Sequence, residues 1–404
     1  MVGDMDGAKK IRTLSGGVNQ SGLRNHNERL LLSTLQRHAD LPGSDLARMA
    51  NLSPQTVSVI LRKLENDGLL ARGTPVRGKV GKPSVPMNLA ADGVYSIGLK
   101  VGRRSADLVL MDFLGNIRKQ LRTSYRYPMP DTVLGFLETG LRELSGGMSK
   151  DKLSRVCGIG IAAPFEIWNW HVPIGAPADE FLSWKNIDFC EEVAQFSNLP
   201  VYIVNDATAA CRAEHVYGRG KEFIDYAYFF VGSFIGGGIV LNHTVFEGHQ
   251  GNAGAFGTLR STDANGSSRQ LIDTASLYLL EEKLANEGLD PGLLWNQPQN
   301  WDEISQFVDP WIDQTAKELA KASISACSVI DFEAVLVDGA FPTAIRQALV
   351  KRMRAHLTTL DTRGLILPRI EQGSVGENAR AIGAACGPVF SQFLLNTHSG
   401  LSAT

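Results

Sequence analysis

The sequence predicts an α/β protein: a small, basic, helix-rich head followed by a larger domain of two successive lobes, each built from a mixed sheet and helices. Three observations carry that expectation. Residues 26–90 show three short helical stretches and then two brief strand-like runs. Near Gly93 the hydrophobic period changes from helical to strand-like. Beyond it, strands and helices alternate in two rounds that meet at Asn205-Asp206.

A chain of 404 residues, 44% of them hydrophobic, can fill one large core or two or three smaller ones. The net charge of -2 conceals an asymmetry. Residues 1–90 hold 13 Lys and Arg against 7 Asp and Glu, and the remainder holds 27 against 35. A basic head on an acidic body suits contact with a polyanion, although the charge alone suits an ordinary solvated surface equally well. The five cysteines (Cys157, Cys190, Cys211, Cys327, Cys386) form no CxxC pair, so neither a disulfide framework nor a zinc cluster is implied. Reduced thiols are the simple expectation. The N-terminus shows no apolar signal region, and no apolar run reaches membrane-spanning length. A cytoplasmic protein without a membrane partner is expected.

In the head, residues 1–20 are rich in Gly and polar groups and read as a flexible arm. The stripe Leu30, Leu31, Leu32 and Leu35 predicts a helix over 27–37. Gly43-Ser44 opens a second, short helix containing Leu46, Ala47 and Met49, and Asn51-Leu52 turns the chain. Ser53 suits the cap of a third helix, and Pro54 its first turn, where a missing N–H is not needed. Val57, Ile60, Leu61 and Leu64 mark its buried side as far as Asn66. Strands at 69–72 and 85–89 then enclose a loop at 76–84.

This order is that of a winged helix-turn-helix over residues 21–90. Gln55, Thr56, Ser58 and Arg62 lie off the apolar stripe of the third helix, where such side chains can reach base edges in a major groove. Arg77, Lys79 and Lys82 sit among Gly78, Gly81 and Pro83, a narrow cationic loop suited to phosphates or a minor groove. The helical trio alone also fits a protein-interaction module. Cap, wing and charge together favour double-stranded DNA.

The second region predicts strands at 95–101, 105–112 and 117–122, a helix at 132–144, a strand at 156–163, a helix at 187–195 and a strand at 201–204. The pattern then repeats in kind: a helix at 207–217, strands at 226–231 and 236–241, long helices at 270–286 and 311–330, and a strand at 334–338. Two α/β lobes with a cleft between them commonly hold a small polar ligand.

Several segments together resemble the ROK family of repressors, open reading frames and sugar kinases. They are Gly158 to Pro164, Val204-Asn205-Asp206-Ala207 with Ala210 and Glu214, Gly232 to Gly238, Gly248 to Gly257, Val337-Asp338-Gly339 and Ala381 to Ala385. The resemblance implies an actin-like, ribonuclease-H-like fold, with lobe 1 at 93–204 completed by a C-terminal helix near 378–396, and lobe 2 at 205–377. Repressor members carry a winged helix-turn-helix ahead of this domain.

The sequence departs from the family's kinases at three places. Their first phosphate loop reads Asp-x-Gly-Gly-Thr, and here the matching stretch is Lys100-Val101-Gly102-Arg103-Arg104. A cation cannot support Mg²⁺, and bulky side chains replace the bare backbone that cradles phosphates. The Gly232 to Gly238 stretch survives, but a tight turn between strands needs glycine with or without nucleotide. The family's Gly-Glu-x-Gly-His is Gly254-Ala255-Phe256-Gly257-Thr258 here, and no cysteine lies within 261–273, so the zinc site is absent. A further family glutamate falls at Ile272.

Asp206 matches the family's catalytic aspartate. Without phosphate machinery it reads as a ligand-binding residue and as a cap for the helix that follows. Asn205, Asn252, Gln250 and Glu166 are the other ligand candidates. Trp168 and Trp170 suit either stacking on a sugar or a place in the core. His243 and His249 read as loop residues rather than metal ligands.

The expected function is a DNA-binding transcription regulator, a repressor, of carbohydrate uptake and catabolism genes, not an enzyme, with no zinc, ATP or Mg²⁺ as cofactor. A small carbohydrate would act as effector, and a homo-oligomer, dimer or tetramer, would pair two heads on an operator. Two alternatives stand beside it: an active ATP-dependent sugar kinase fused to a DNA-binding head, and a sensor of a transporter protein.

Overall fold

The computed structural model describes residues 20–75, 85–171, 175–262, 266–296 and 299–395. The head holds helices α1 (Gln20–His38), α2 (Gly43–Met49) and α3 (Pro54–Asn66), with strands β1 (Leu41–Pro42), β2 (Leu70–Arg72) and β3 (Pro86–Leu89). Ser53 caps α3: its Oγ accepts from the Thr56 N–H at 3.1 Å. Val57, Ile60, Leu61 and Leu64 are buried in the head's core with Leu31 and Leu35. Helix α1 begins at Gln20, earlier than its apolar stripe. The two-residue β1 carries too little pattern to be read from sequence. It pairs with β3, Leu41 opposite Met87, and gives a sheet ordered β1-β3-β2. The wing loop with Arg77, Lys79 and Lys82 lies outside the described residues.

Lobe 1 is a five-stranded sheet of β4 (Tyr95–Val101), β5 (Ser105–Asp112), β6 (Ile117–Ser124), β7 (Val156–Ala163) and β8 (Val201–Asn205), ordered β6-β5-β4-β7-β8. Its helices are α4 (Pro130–Ser145), α5 (Lys150–Ser154), α6 (Ala178–Phe181) and α7 (Phe189–Ala194). The antiparallel β4–β5–β6 meander joins the parallel β4–β7–β8 half. Strands β4 and β5 are almost wholly buried, so they read as apolar runs, whereas edge strand β6 alternates.

Lobe 2 begins with α8 (Asp206–Tyr217) and repeats the plan. Strands β9 (Tyr226–Val231), β10 (Ile235–Leu241) and β11 (Thr244–Phe246) form the antiparallel half. A hairpin of β12 (Arg260–Thr262) and β13 (Ser268–Gln270) and helices α9 (Ile272–Ala275), α10 (Tyr278–Asn286) and α11 (Ser305–Cys327) follow. Strand β14 (Ala334–Gly339), helix α12 (Thr343–Leu357) and strand β15 (Arg369–Gln372) complete a sheet ordered β11-β10-β9-β14-β15. The chain then returns to lobe 1 as α13 (Ala379–Gln392), which lies directly on β4 and β7. A Cβ on Gly98 or Gly160 would strike the backbone of α13, and one on Gly383 would strike the Ala209 carbonyl of α8. Only glycine permits these approaches.

The expected single helix over 270–286 is broken. Gln270 ends β13, and the backbone leaves helical geometry at Ser276. There the chain bonds to the β9–β10 turn instead: Leu277 and Tyr278 N–H donate to the Gly232 and Ser233 carbonyls, and the Ser276 hydroxyl accepts from Ile235 N–H. Among the described residues no helix is long and apolar enough to cross a membrane.

Candidate functional site

Between the lobes lies a cavity of about 480 Å³. Its central wall is the junction of β8 and α8. Asn205, not Asp206, caps α8: its Oδ1 accepts from the N–H groups of Ala207 at 3.0 Å and Thr208 at 3.2 Å. Asn205 keeps the non-helical backbone that a cap needs, and Asp206 already belongs to the first turn. That leaves the Asp206 carboxylate to face Arg380, whose Nη1 donates to Oδ2 at 3.3 Å. Arg380 also lies 5.1 Å from the centre of the Phe230 ring. The pair joins the N-terminal ends of α8 and α13.

Asn205, Asp206, Asn252 and Glu166 all line this cavity. Gln250 does not, because Gly251 turns the chain with φ +70 and sends Gln250 and Asn252 to different sides. Gln250 lines an adjoining trough of about 650 Å³, which Glu166 and Asn205 also reach. Trp170 is a wall residue: it stacks on Phe234 at 5.0 Å, and its Nε1 donates to the Phe165 carbonyl. Trp168 lines the trough. His243 sits in a left-handed loop beside Arg37.

Sequence reasoning missed Arg380, Ser233 and Gln270, which also line the cavity. Arg380 had a signal: it is the sole cation in the small, apolar run 379–389, where a buried guanidinium must find a partner.

On the head, Gln55, Thr56 and Arg62 are exposed and Ser58 is half-buried. Thr56 Oγ1 shares a 2.8 Å hydrogen bond with Ser53 Oγ, and Arg62 Nη2 donates to Ser58 Oγ at 3.2 Å. Val59 stands among them, 55% exposed. Its spacing from Gln55 and Arg62 would have placed it on the same face.

Residues 96–269 match the ROK family, and residues 24–71 match a winged helix-turn-helix DNA-binding family. The chain carries a ROK-family domain behind a winged helix-turn-helix. A xylose repressor of Caldicellulosiruptor bescii is 25% identical over 308 residues, 74% of this chain and 75% of that protein. Among solved structures, a ROK family transcriptional regulator, a homologue of the Escherichia coli MLC protein, aligns with TM-score 0.62 and 18% identity over 90% of this chain and 95% of that one. A ROK family glucokinase from Streptomyces griseus aligns with TM-score 0.55 and 21% identity, covering 72% of this chain and 98% of the enzyme. These two likenesses establish the fold.

In this ROK domain the β4–β5 turn does not fit Mg²⁺ and a nucleotide phosphate. Lys100, opposite Asp107 in the ladder, pairs with it at 2.8 Å and bonds Ser105 Oγ at 3.0 Å. Burial pushes the Lys100 ammonium down to about 8, with Asp107 opposing. The Arg103 guanidinium crosses the cleft to Glu281 of α10 at 3.1 Å. It lies between Phe234 and Tyr278, 5.4 and 5.7 Å from their ring centres. Trp295 Nε1 donates to the other Glu281 oxygen at 3.0 Å. Burial raises the Glu281 carboxyl and lowers the Arg103 guanidinium, while their mutual attraction opposes both changes.

Glycines of the 232–238 stretch serve packing as well as a turn. Gly236 and Gly238 lie inside β10, where a Cβ would press on Ala207 and Cys211 of α8. The β12–β13 hairpin is tied to α11 by hydroxyls, a donor set unsuited to zinc: Ser261 Oγ donates to Glu318 Oε2 at 2.6 Å, and Thr274 Oγ1 to Ser261 Oγ at 3.0 Å.

Proposed function

We propose that this chain is a transcription regulator whose winged head binds operator DNA, whose affinity is set by a small carbohydrate in the cleft, and whose ROK domain has lost kinase chemistry. One observation carries the reading: helices α8 and α13 span the distance from cleft to head. Their N-terminal ends meet at Asp206 and Arg380 in the cavity wall. Their C-terminal ends grip α1. Gln36 Nε2 donates to the Val216 carbonyl of α8 at 2.7 Å. Arg29 donates to the carbonyls of Phe390 at 2.7 Å and Leu394 at 2.8 Å, and Leu395 N–H donates to Ser33 Oγ at 2.8 Å.

At 1.5 Å per residue the two helices are about 18 and 21 Å long. The glycine contact at Gly383 leaves them no room to slide independently. A ligand that binds more tightly to one placement of this pair shifts the head with it, and coupling of ~1–3 kcal/mol is typical of such linkage. The xylose repressor among the relatives supports the regulatory reading. The Arg103–Glu281 pair supports the loss of phosphoryl transfer. A dimer or tetramer would place two heads on half-sites about 34 Å apart.

The test is fluorescence anisotropy of a duplex selected from a random pool on the full chain, at low ionic strength, with pentoses, hexoses and N-acetylated hexosamines added in turn. An ATP-coupled assay runs in parallel. The expected result is duplex binding that one sugar changes at least 5-fold, without ADP release. Sugar-dependent ADP release that disappears in Asp206→Asn, in a protein indifferent to DNA, would overturn the reading.

A further inference from the structure

The trough beside the cavity pairs an apolar side with a polar one. Its volume of about 650 Å³ and the cavity's 480 Å³ each fall in the ~300–1,000 Å³ range of small-ligand sites. The two adjoin at Pro164, Phe165, Glu166, Ile167 and Asn205, which line both.

A pyranose or furanose ring presents an apolar C–H face and a rim of hydroxyls, and the trough offers both complements. Its apolar side holds Phe165, Trp168, Ile187 and Ile203. Phe165 and Ile203 are 38% and 54% exposed, more than large apolar residues of a finished core. Its polar side holds Lys185, Asn186 and Gln250, all exposed and with no side-chain hydrogen bond among the described residues. The other polar groups there are engaged: Asp188 caps α7 and Glu247 pairs with Arg212.

Glu166 stands at the junction with φ 47 and ψ 53, a left-handed backbone that non-glycine residues seldom adopt. Strain of this kind collects at ligand sites. Here it sets one carboxylate on the boundary of both chambers, within reach of a group that bridges two rings. Asn169 Nδ2 donates to Glu166 Oε2 at 2.8 Å, which leaves Oε1 open to such a group.

From these observations we infer that the effector is a glycoside of at least two rings, one ring in the cavity and the next in the trough against Phe165 and Trp168. This rests on the carbohydrate reading above and narrows its ligand class. The alternative occupant, a monosaccharide alone, is one outcome of the test.

Isothermal titration of the full chain compares matched probes: xylose with xylobiose, glucose with cellobiose, and N-acetylglucosamine with its β-1,4 dimer. The expected result is one pair in which the disaccharide binds at least 10-fold tighter than its monomer. Trp168→Ala and, separately, the exposed Gln250→Ala should each lower that ratio at least 3-fold, with circular dichroism confirming that both fold. The disaccharide should also change tryptophan fluorescence in a way that Trp168→Phe removes. Monosaccharide binding with no disaccharide advantage in any pair would overturn the two-ring inference and leave the carbohydrate reading standing. No binding by any of the six sugars would count against both.

Discussion

Replacing Arg29 by methionine should loosen the head from the body without unfolding either. Methionine keeps most of the apolar stem and removes the cation. Arg29 is half-buried, and its guanidinium donates to two main-chain carbonyls, those of Phe390 and Leu394, at and beyond the end of α13. Hydrogen bonds to a charged group contribute about 1.5–3 kcal/mol net. That much lost attachment multiplies local opening of α1 by about 10- to 150-fold. Hydrogen–deuterium exchange of α1 amides measures this directly, with β9 and β14 amides as internal references. The same variant should bind operator DNA and respond less to ligand. Equal α1 exchange rates in the variant and the parent protein would refute the idea that these bonds fasten the head.

Gly383→Ala drives a methyl into the Ala209 carbonyl, which belongs to backbone and cannot rotate away, so a loss of ~3 kcal/mol or more is expected, read as a large fall in thermal midpoint. Burial raises the Asp338 carboxyl to about 6, with Arg346 at 3.1 Å opposing. Its stabilising contribution is therefore fully present below about pH 4 and lost as pH rises through 6, so Asp338→Asn should gain up to ~3 kcal/mol relative to the parent between pH 4 and 7, measured by urea unfolding at each pH. Arg62→Ala should cost about 1–3 kcal/mol on the selected duplex and little on random DNA, and equal losses would remove it from the base-reading set. Lys82→Ala should weaken both duplexes alike and lower the slope of log affinity against log salt by about 1.

What could be read from the sequence was what local chemistry decides. The Ser53 cap, Pro54 and the stripe of α3 name each other within a few residues, and the buried strands β4, β7 and β9 announce themselves as apolar runs. The misses have remote causes. Nothing within 270–286 reveals that the β9–β10 turn will capture the N–H groups of Leu277 and Tyr278. Helix α12 is the exception, a miss without a remote cause: its buried Leu349, Val350, Met353 and Leu357 keep helical spacing and were legible in the sequence. In the cleft, Asn205, Asp206, Asn252 and Glu166 were within reach because each lies in or beside a family segment. The clasp between Arg103 and Glu281 joins positions 178 residues apart, and only the closed fold brings them together.

Because α13 covers the inner strands of the first sheet, lobe 1 stays unfinished until that helix has been made. About 174 residues separate the end of β8 from the start of α13, which at ribosomal speeds of about 5–20 residues per second is a delay of roughly 10–35 s. Through that interval the nascent chain exposes the glycine-floored face of β4 and β7, and α1 lacks the carbonyls that Arg29 grips. Helix α3, complete by Asn66, can therefore fold well before Arg380 arrives to finish the cavity wall.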